Sequence, residues 1–117
     1  MVRARMCELL APLVGLADRS FDLFLVGMLS LIDALLDRKM SELLPDFPVG
    51  DDVKMALLGS ENRLRSPLEV VLAYERGDFE RAVGFLPAAS TASLVRVGEC
   101  YSEAVGWADQ IFNATAS

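Results

Sequence analysis

The chain has 117 residues, the size of one domain, and 53% of them are hydrophobic against a usual level of about 45–50%. Its formal charge is −6, with 11 basic and 17 acidic residues. That balance offers no basic footprint for nucleic acid and no attraction to an anionic lipid surface.

Residues 3–17 place Met6, Leu9, Leu10, Leu13 and Val14 at helical spacing, and Pro12 is expected to kink or shorten that helix. No capping residue precedes Arg3, so the start is expected to be a cut through a larger domain. The first residues mimic the basic and apolar regions of a secretion signal. Glu8 interrupts that run, and no clean small-residue cleavage site follows. Ser20 is the expected N-cap of the next helix, which runs to about residue 37. Residues 21–36 are Leu, Ile, Val, Phe or Met almost throughout, while Asp22, Ser30, Asp33 and Asp37 gather on one narrow strip. The strip is expected to be solvated or paired with arginines. The uncharged run over residues 23–32 is about half of the ~20 residues that cross a bilayer. A helix this apolar is expected at the centre of a bundle, wrapped by others. The small residues Gly27 and Ser30 predict a close helix crossing within it. Arg38 and Lys39 suit its C-terminal end.

Ser41 opens a short helical turn over residues 42–44, closed by Pro45 and Pro48. Asp51 and Asp52 stand at the start of a helix over residues 53–58, ended by Gly59. Ser66-Pro67-Leu68-Glu69 reads as a Ser cap, a Pro in the first turn and a capping box. That helix runs to Arg76, with Gly77 as its stop. Asp78 caps a helix over residues 79–86, and Ser90 or Thr91 caps the last one, to about Phe112. Near its end Tyr101 and Trp107 are expected as core anchors, with interface anchors as the alternative. No period of two persists. The expected fold is all-α: one domain over residues 1–117, a compact bundle of six to seven helices around a central apolar helix at about residues 20–37. The stretch 72–82 looks like the turn of a tetratricopeptide hairpin, which leaves a single-hairpin adaptor as an alternative. It occurs once, and stacking needs several copies.

The sequence is poor in catalytic groups. It has no histidine, which removes Ser-His and Cys-His pairs and zinc sites built on His. Cys7 and Cys100 stand far apart in no metal-like spacing, and are expected as free buried thiols. Asp46, Asp51 and Asp52 cluster around a proline turn, but their spacing matches no calcium loop, and the helix start accounts for Asp51 and Asp52. Asp22 and Asp33 lie about 20° apart on the wheel but three turns apart along the axis, too far to share a metal. No Gly-rich loop joins a strand to a helix. No catalytic residue, cofactor site or metal site is expected. The chain is read as non-enzymatic, cytoplasmic and soluble.

Gly27-Met28-Leu29-Ser30-Leu31-Ile32-Asp33-Ala34-Leu35-Leu36 followed by Ser41-Glu42-Leu43-Leu44 resembles the C-terminal part of HDOD domains, in particular the HDOD half of bacterial EAL–HDOD signalling proteins. Supporting pieces keep the family's order: Arg3-Ala4-Arg5-Met6-Cys7-Glu8-Leu9-Leu10-Ala11 ahead, then Ala56-Leu57-Leu58-Gly59, Ala73-Tyr74-Glu75-Arg76-Gly77-Asp78-Phe79 and Tyr101-Ser102-Glu103-Ala104-Val105-Gly106-Trp107-Ala108. The resemblance covers nearly the whole chain. It implies an all-helical fold related to HD phosphohydrolases but lacking their metal-binding His-Asp signature. It also implies a regulatory or interaction module linked to cyclic-di-GMP signalling, whose front helices lie outside this sequence. The expected work is contact with a protein partner or neighbouring domain through an exposed apolar helix face, with homo-oligomers of the isolated chain. The alternative is a small-molecule sensor with an apolar pocket that includes Ser30 or Tyr74.

Overall fold

Pro12 has no amide hydrogen to donate, so a helix entering this region must end ahead of it. In a computed structural model describing residues 1–36, 39, 42, 44–87 and 90–116, the first helix, α1 (Val2–Leu9), stops there. The chain continues as a 3₁₀ turn (Ala11–Val14), so the single helix expected over residues 3–17 is two shorter elements. Gly15 follows with φ 73°, a left-handed conformation that costs a side-chain-bearing residue strain. A second 3₁₀ turn (Ala17–Arg19) then feeds directly into α2 (Ser20–Leu36). Ser20 is already helical, with φ −59° and ψ −37°, and so is not the expected N-cap.

After a third 3₁₀ turn (Leu44–Asp46) come α3 (Asp51–Leu57), α4 (Arg65–Glu75), α5 (Phe79–Gly84) and α6 (Thr91–Ala116). The described residues thus form six α-helices and no strand, an all-α bundle. The helix end expected at Asp37 and Arg38, and the start expected at Ser41, lie outside the described residues.

Two of the caps expected further along the chain hold and the one at Ser66 does not. The Asp78 carboxylate accepts from the Arg81 amide at 3.2 Å, and the Ser90 hydroxyl accepts from the Ser93 amide at 3.2 Å. At α4 the helix begins at Arg65, ahead of Ser66, and the Asn62 side-chain oxygen takes the Arg65 amide at 3.0 Å. Glu69 does not reach back to close a capping box; it accepts from Arg65 Nε at 2.8 Å. The cap position itself, Leu64, has no side-chain acceptor, and the Asn62 carbonyl shares the Arg65 amide at 3.1 Å.

The core sits where α1 meets α2, α4 and α6. Met6, Cys7, Leu10, Leu23, Val26, Leu68, Val70, Val71 and Val97 are fully buried and form one cluster. Each large apolar side chain there contributes about 1.5–3 kcal/mol of burial. α1 packs most extensively on α2, and also on α6 and α4, so it shares the centre with α2. α2 packs on α1, α3 and α4 and is not enclosed all round, because Phe21 is 67% exposed.

Candidate interaction site

At the α1–α2 crossing a Cβ added to Gly27 would stand 2.7 Å from Ala4 Cα and 2.9 Å from the Arg3 carbonyl oxygen. Only a hydrogen fits between these backbones. One turn on, the Ser30 hydroxyl donates to the Gly27 carbonyl at 2.7 Å and accepts from Arg3 Nη1 at 3.3 Å. Arg3 then grips Glu75 of α4 with two parallel bonds, Nε to Oε1 at 3.0 Å and Nη2 to Oε2 at 2.8 Å. This fork geometry is the strongest form of the ion pair, and it ties α1, α2 and α4 at one point.

The crossing fixes which half of α2 faces inward. At 100° per residue, Asp22 lies about 20° from Leu29 and about 40° from Val26, both buried. Asp22 and Ser30 of the polar strip are therefore on the inner half. Ser30 bonds to α1, and Asp22 accepts from Arg19 Nε at 2.5 Å with its side chain still 32% exposed, so Asp22 is both paired and partly solvated. Asp33's side chain is outside the described residues.

The outer half is apolar. Phe21, Phe24, Leu25, Met28 and Leu31 span about 120° of the wheel, opposite Leu23, Val26 and Leu29. Phe21 is exposed, and the other four are half-buried and outside the core cluster. Along one edge Trp107 of α6 meets Phe24 edge-on, with centroids 6.0 Å apart and planes at 87°. The Arg5 guanidinium lies over the same indole at 5.6 Å, and Arg5 pairs with Glu8. Trp107 is half-buried. Tyr101, 39% exposed, stands elsewhere: its ring packs on Tyr74 at 5.2 Å, and Tyr74 packs on Phe79 at 5.2 Å. The structure thus gathers Gly27, Ser30 and Trp107 around α2 and leaves Tyr101 in a separate aromatic cluster between α4, α5 and α6.

The chemistry of the remaining groups is quiet. Burial pushes the Cys7 thiol up to about 12, with Arg3 opposing and Glu75 adding to the rise. Burial also raises Cys100, whose Sγ donates to the Leu9 carbonyl at 3.6 Å. Neither is a ready nucleophile, since the thiolate is the reactive form. Asp52 is held below the usual carboxylate range by its bond to Arg19, helped by the Val53 amide. Asp46's side chain lies outside the described residues. Among the described residues no group of three or more Cys, Asp or Glu side chains stands close enough to hold a metal ion, and no helix is long and apolar enough to cross a membrane. Ser30 is engaged by Arg3 and Gly27, and Tyr74 by two rings, so neither lends support to an apolar pocket.

No family model matches the chain, and no solved structure matches it. Curated proteins similar to it include the uncharacterized protein YuxH of Bacillus subtilis, 32% identical over 114 residues, or 97% of this chain and 27% of that protein. They also include the cyclic di-GMP phosphodiesterase CdgJ of Vibrio cholerae, 36% identical over 78 residues, or 67% of this chain and 18% of that protein. The chain therefore spans well under half the length of these relatives.

Proposed function

We propose that this chain is an HDOD-like regulatory module of a cyclic di-GMP-linked bacterial signalling system, working in the cytoplasm by protein contact and catalysing no reaction itself. The outward face of α2 carries the reading. Five apolar side chains, Phe21, Phe24, Leu25, Met28 and Leu31, form a stripe on the side of the helix away from the core. Contiguous apolar surface of this kind is a mark of an interaction site on soluble proteins. The occupant is a helix with an apolar stripe of its own, packed ridge into groove. In a solution of this chain alone, that helix is α2 of a second copy.

The signalling link is supported by the similarity to CdgJ, and the HDOD assignment by the ordered family motifs. The absence of histidine and the deactivated thiols support a non-catalytic role. Sedimentation velocity tests the contact surface. The wild type is expected to associate as its concentration rises, and Met28→Glu, which puts a charge in the middle of the stripe, is expected to be monomeric with an unchanged circular dichroism spectrum. A wild type that stays monomeric at millimolar concentration would overturn the proposal.

A further inference from the structure

Most arginines of this acidic chain are neutralised by a neighbouring carboxylate: Arg3 by Glu75, Arg5 by Glu8, Arg19 by Asp22 and Asp52, Arg65 by Glu69, Arg96 by Glu99. Arg63 and Arg81 have no carboxylate partner among the described residues, and both line one groove of about 560 Å³. That volume falls within the ~300–1,000 Å³ of ordinary small-molecule sites. Arg63 spends one donor on the Gly15 carbonyl at 3.2 Å, leaving most of its five N–H groups free. The Arg81 guanidinium carbon stands over the Phe85 ring, 5.3 Å from its centre. Within the same groove Arg65 and Glu69 cancel each other, and Glu61 offsets one of the two free cations. The lining keeps a net positive charge in a chain whose overall charge is −6. Ser66 adds a hydroxyl and a first-turn amide of α4 that has no partner within the helix.

These parts divide into two kinds of recognition. Two guanidinium forks and a hydroxyl suit the oxygens of a phosphate. The half-buried Phe85 ring, packed against the core with the Arg81 guanidinium over it, gives the groove an apolar wall on which the edge of a planar base can rest. We propose that this groove is a binding site for a phosphorylated nucleotide, with Arg63, Arg81 and Ser66 taking the phosphate and Phe85 the base. The groove shares no residue with the outward face of α2, so the two proposals stand or fall separately.

Isothermal titration of the full chain with cyclic di-GMP, GMP, guanosine and inorganic phosphate tests it. At least one of the two nucleotides is expected to bind saturably, more tightly than guanosine or inorganic phosphate. Loss of a charge-assisted contact is expected to weaken that binding about tenfold in Arg63→Gln and in Arg81→Gln. Both residues are exposed, so both variants keep the fold. Three results would overturn the site: no nucleotide binding at about 1 mM, where even a 4 kcal/mol interaction registers; undiminished binding in both variants; or inorganic phosphate binding as tightly as either nucleotide.

Discussion

Replacing Gly27 by alanine tests the packing that orients α2. The new methyl carbon would meet Ala4 Cα at 2.7 Å, the Arg3 carbonyl oxygen at 2.9 Å and the Ala4 nitrogen at 3.1 Å. Every one of these atoms is backbone, so no side chain can swing away. Van der Waals contact between carbons lies near 3.5–4.0 Å, so the helices must part by close to an ångström. Overpacking of this kind costs about 1–3 kcal/mol, occasionally more. The separation also stretches the Arg3–Ser30 bond, already 3.3 Å long. Against this, alanine gains about 0.8–1.0 kcal/mol over glycine in a helix interior. The net expectation is a loss of about 1 kcal/mol, a fall in Tm of roughly 3–5 °C for a domain of this size. Urea titration followed by circular dichroism measures it. Gly106→Ala is the control, because a Cβ there meets nothing within 4 Å, and it is expected to stabilise by about 0.5–1 kcal/mol through helix propensity alone. A Gly27→Ala protein as stable as wild type would refute the close crossing.

Removing the Glu75 carboxylate as Glu75→Ala leaves Arg3, only 19% exposed, without its bidentate partner; a loss of about 1.5–3 kcal/mol is expected in the same titration, and a loss below ~0.5 kcal/mol would mean the fork is ornamental. Cys7 gives a pH dependence. Its folded pKa is raised from 9.0 to about 12, so the buried neutral thiol stabilises fully below pH ~8.5, and that stability is lost as pH rises through the folded value. Stability should fall by about 1.4 kcal/mol per pH unit between pH ~9 and ~12 from this group. In Cys7→Ala that alkaline slope should lessen by the same amount, at a cost of about 1 kcal/mol in neutral solution; equal slopes in both proteins would show that Cys7 is not shielded.

The all-α fold and most helix starts were legible because each leaves a local mark. Pro12, Asp78, Gly77 and Ser90 act within a few residues of themselves, and the structure uses each as a boundary. Ser66 misled because Asn62, four residues earlier, offered a better-placed acceptor to the Arg65 amide. α6 runs past the expected end at Phe112 to Ala116, because its last turns carry exposed residues and apolar periodicity fades before the helix ends. The orientation of α2 was legible only in part. Its wheel shows one polar strip on an otherwise apolar cylinder, and a strip of acids is ordinarily turned to water. Here Ser30 and Asp22 lie on the inner half, where Arg3 and Arg19 reach them from neighbouring elements. The Arg3–Glu75 fork joins residues 72 apart, and no local pattern announces such a pair. Gly27 and Ser30 were the surviving clue, since small residues in an apolar helix mark the side on which another backbone comes close.

Hydrogen exchange on the dilute and the concentrated chain tests the interaction role of α2 most directly. Association through its outward face should slow exchange in residues 21–32 as concentration rises, while α3, with exposed Met55 and the following Leu58, stays unchanged. Added protection on α3 or on the α4–α6 aromatic cluster, with none on α2, would contradict the account.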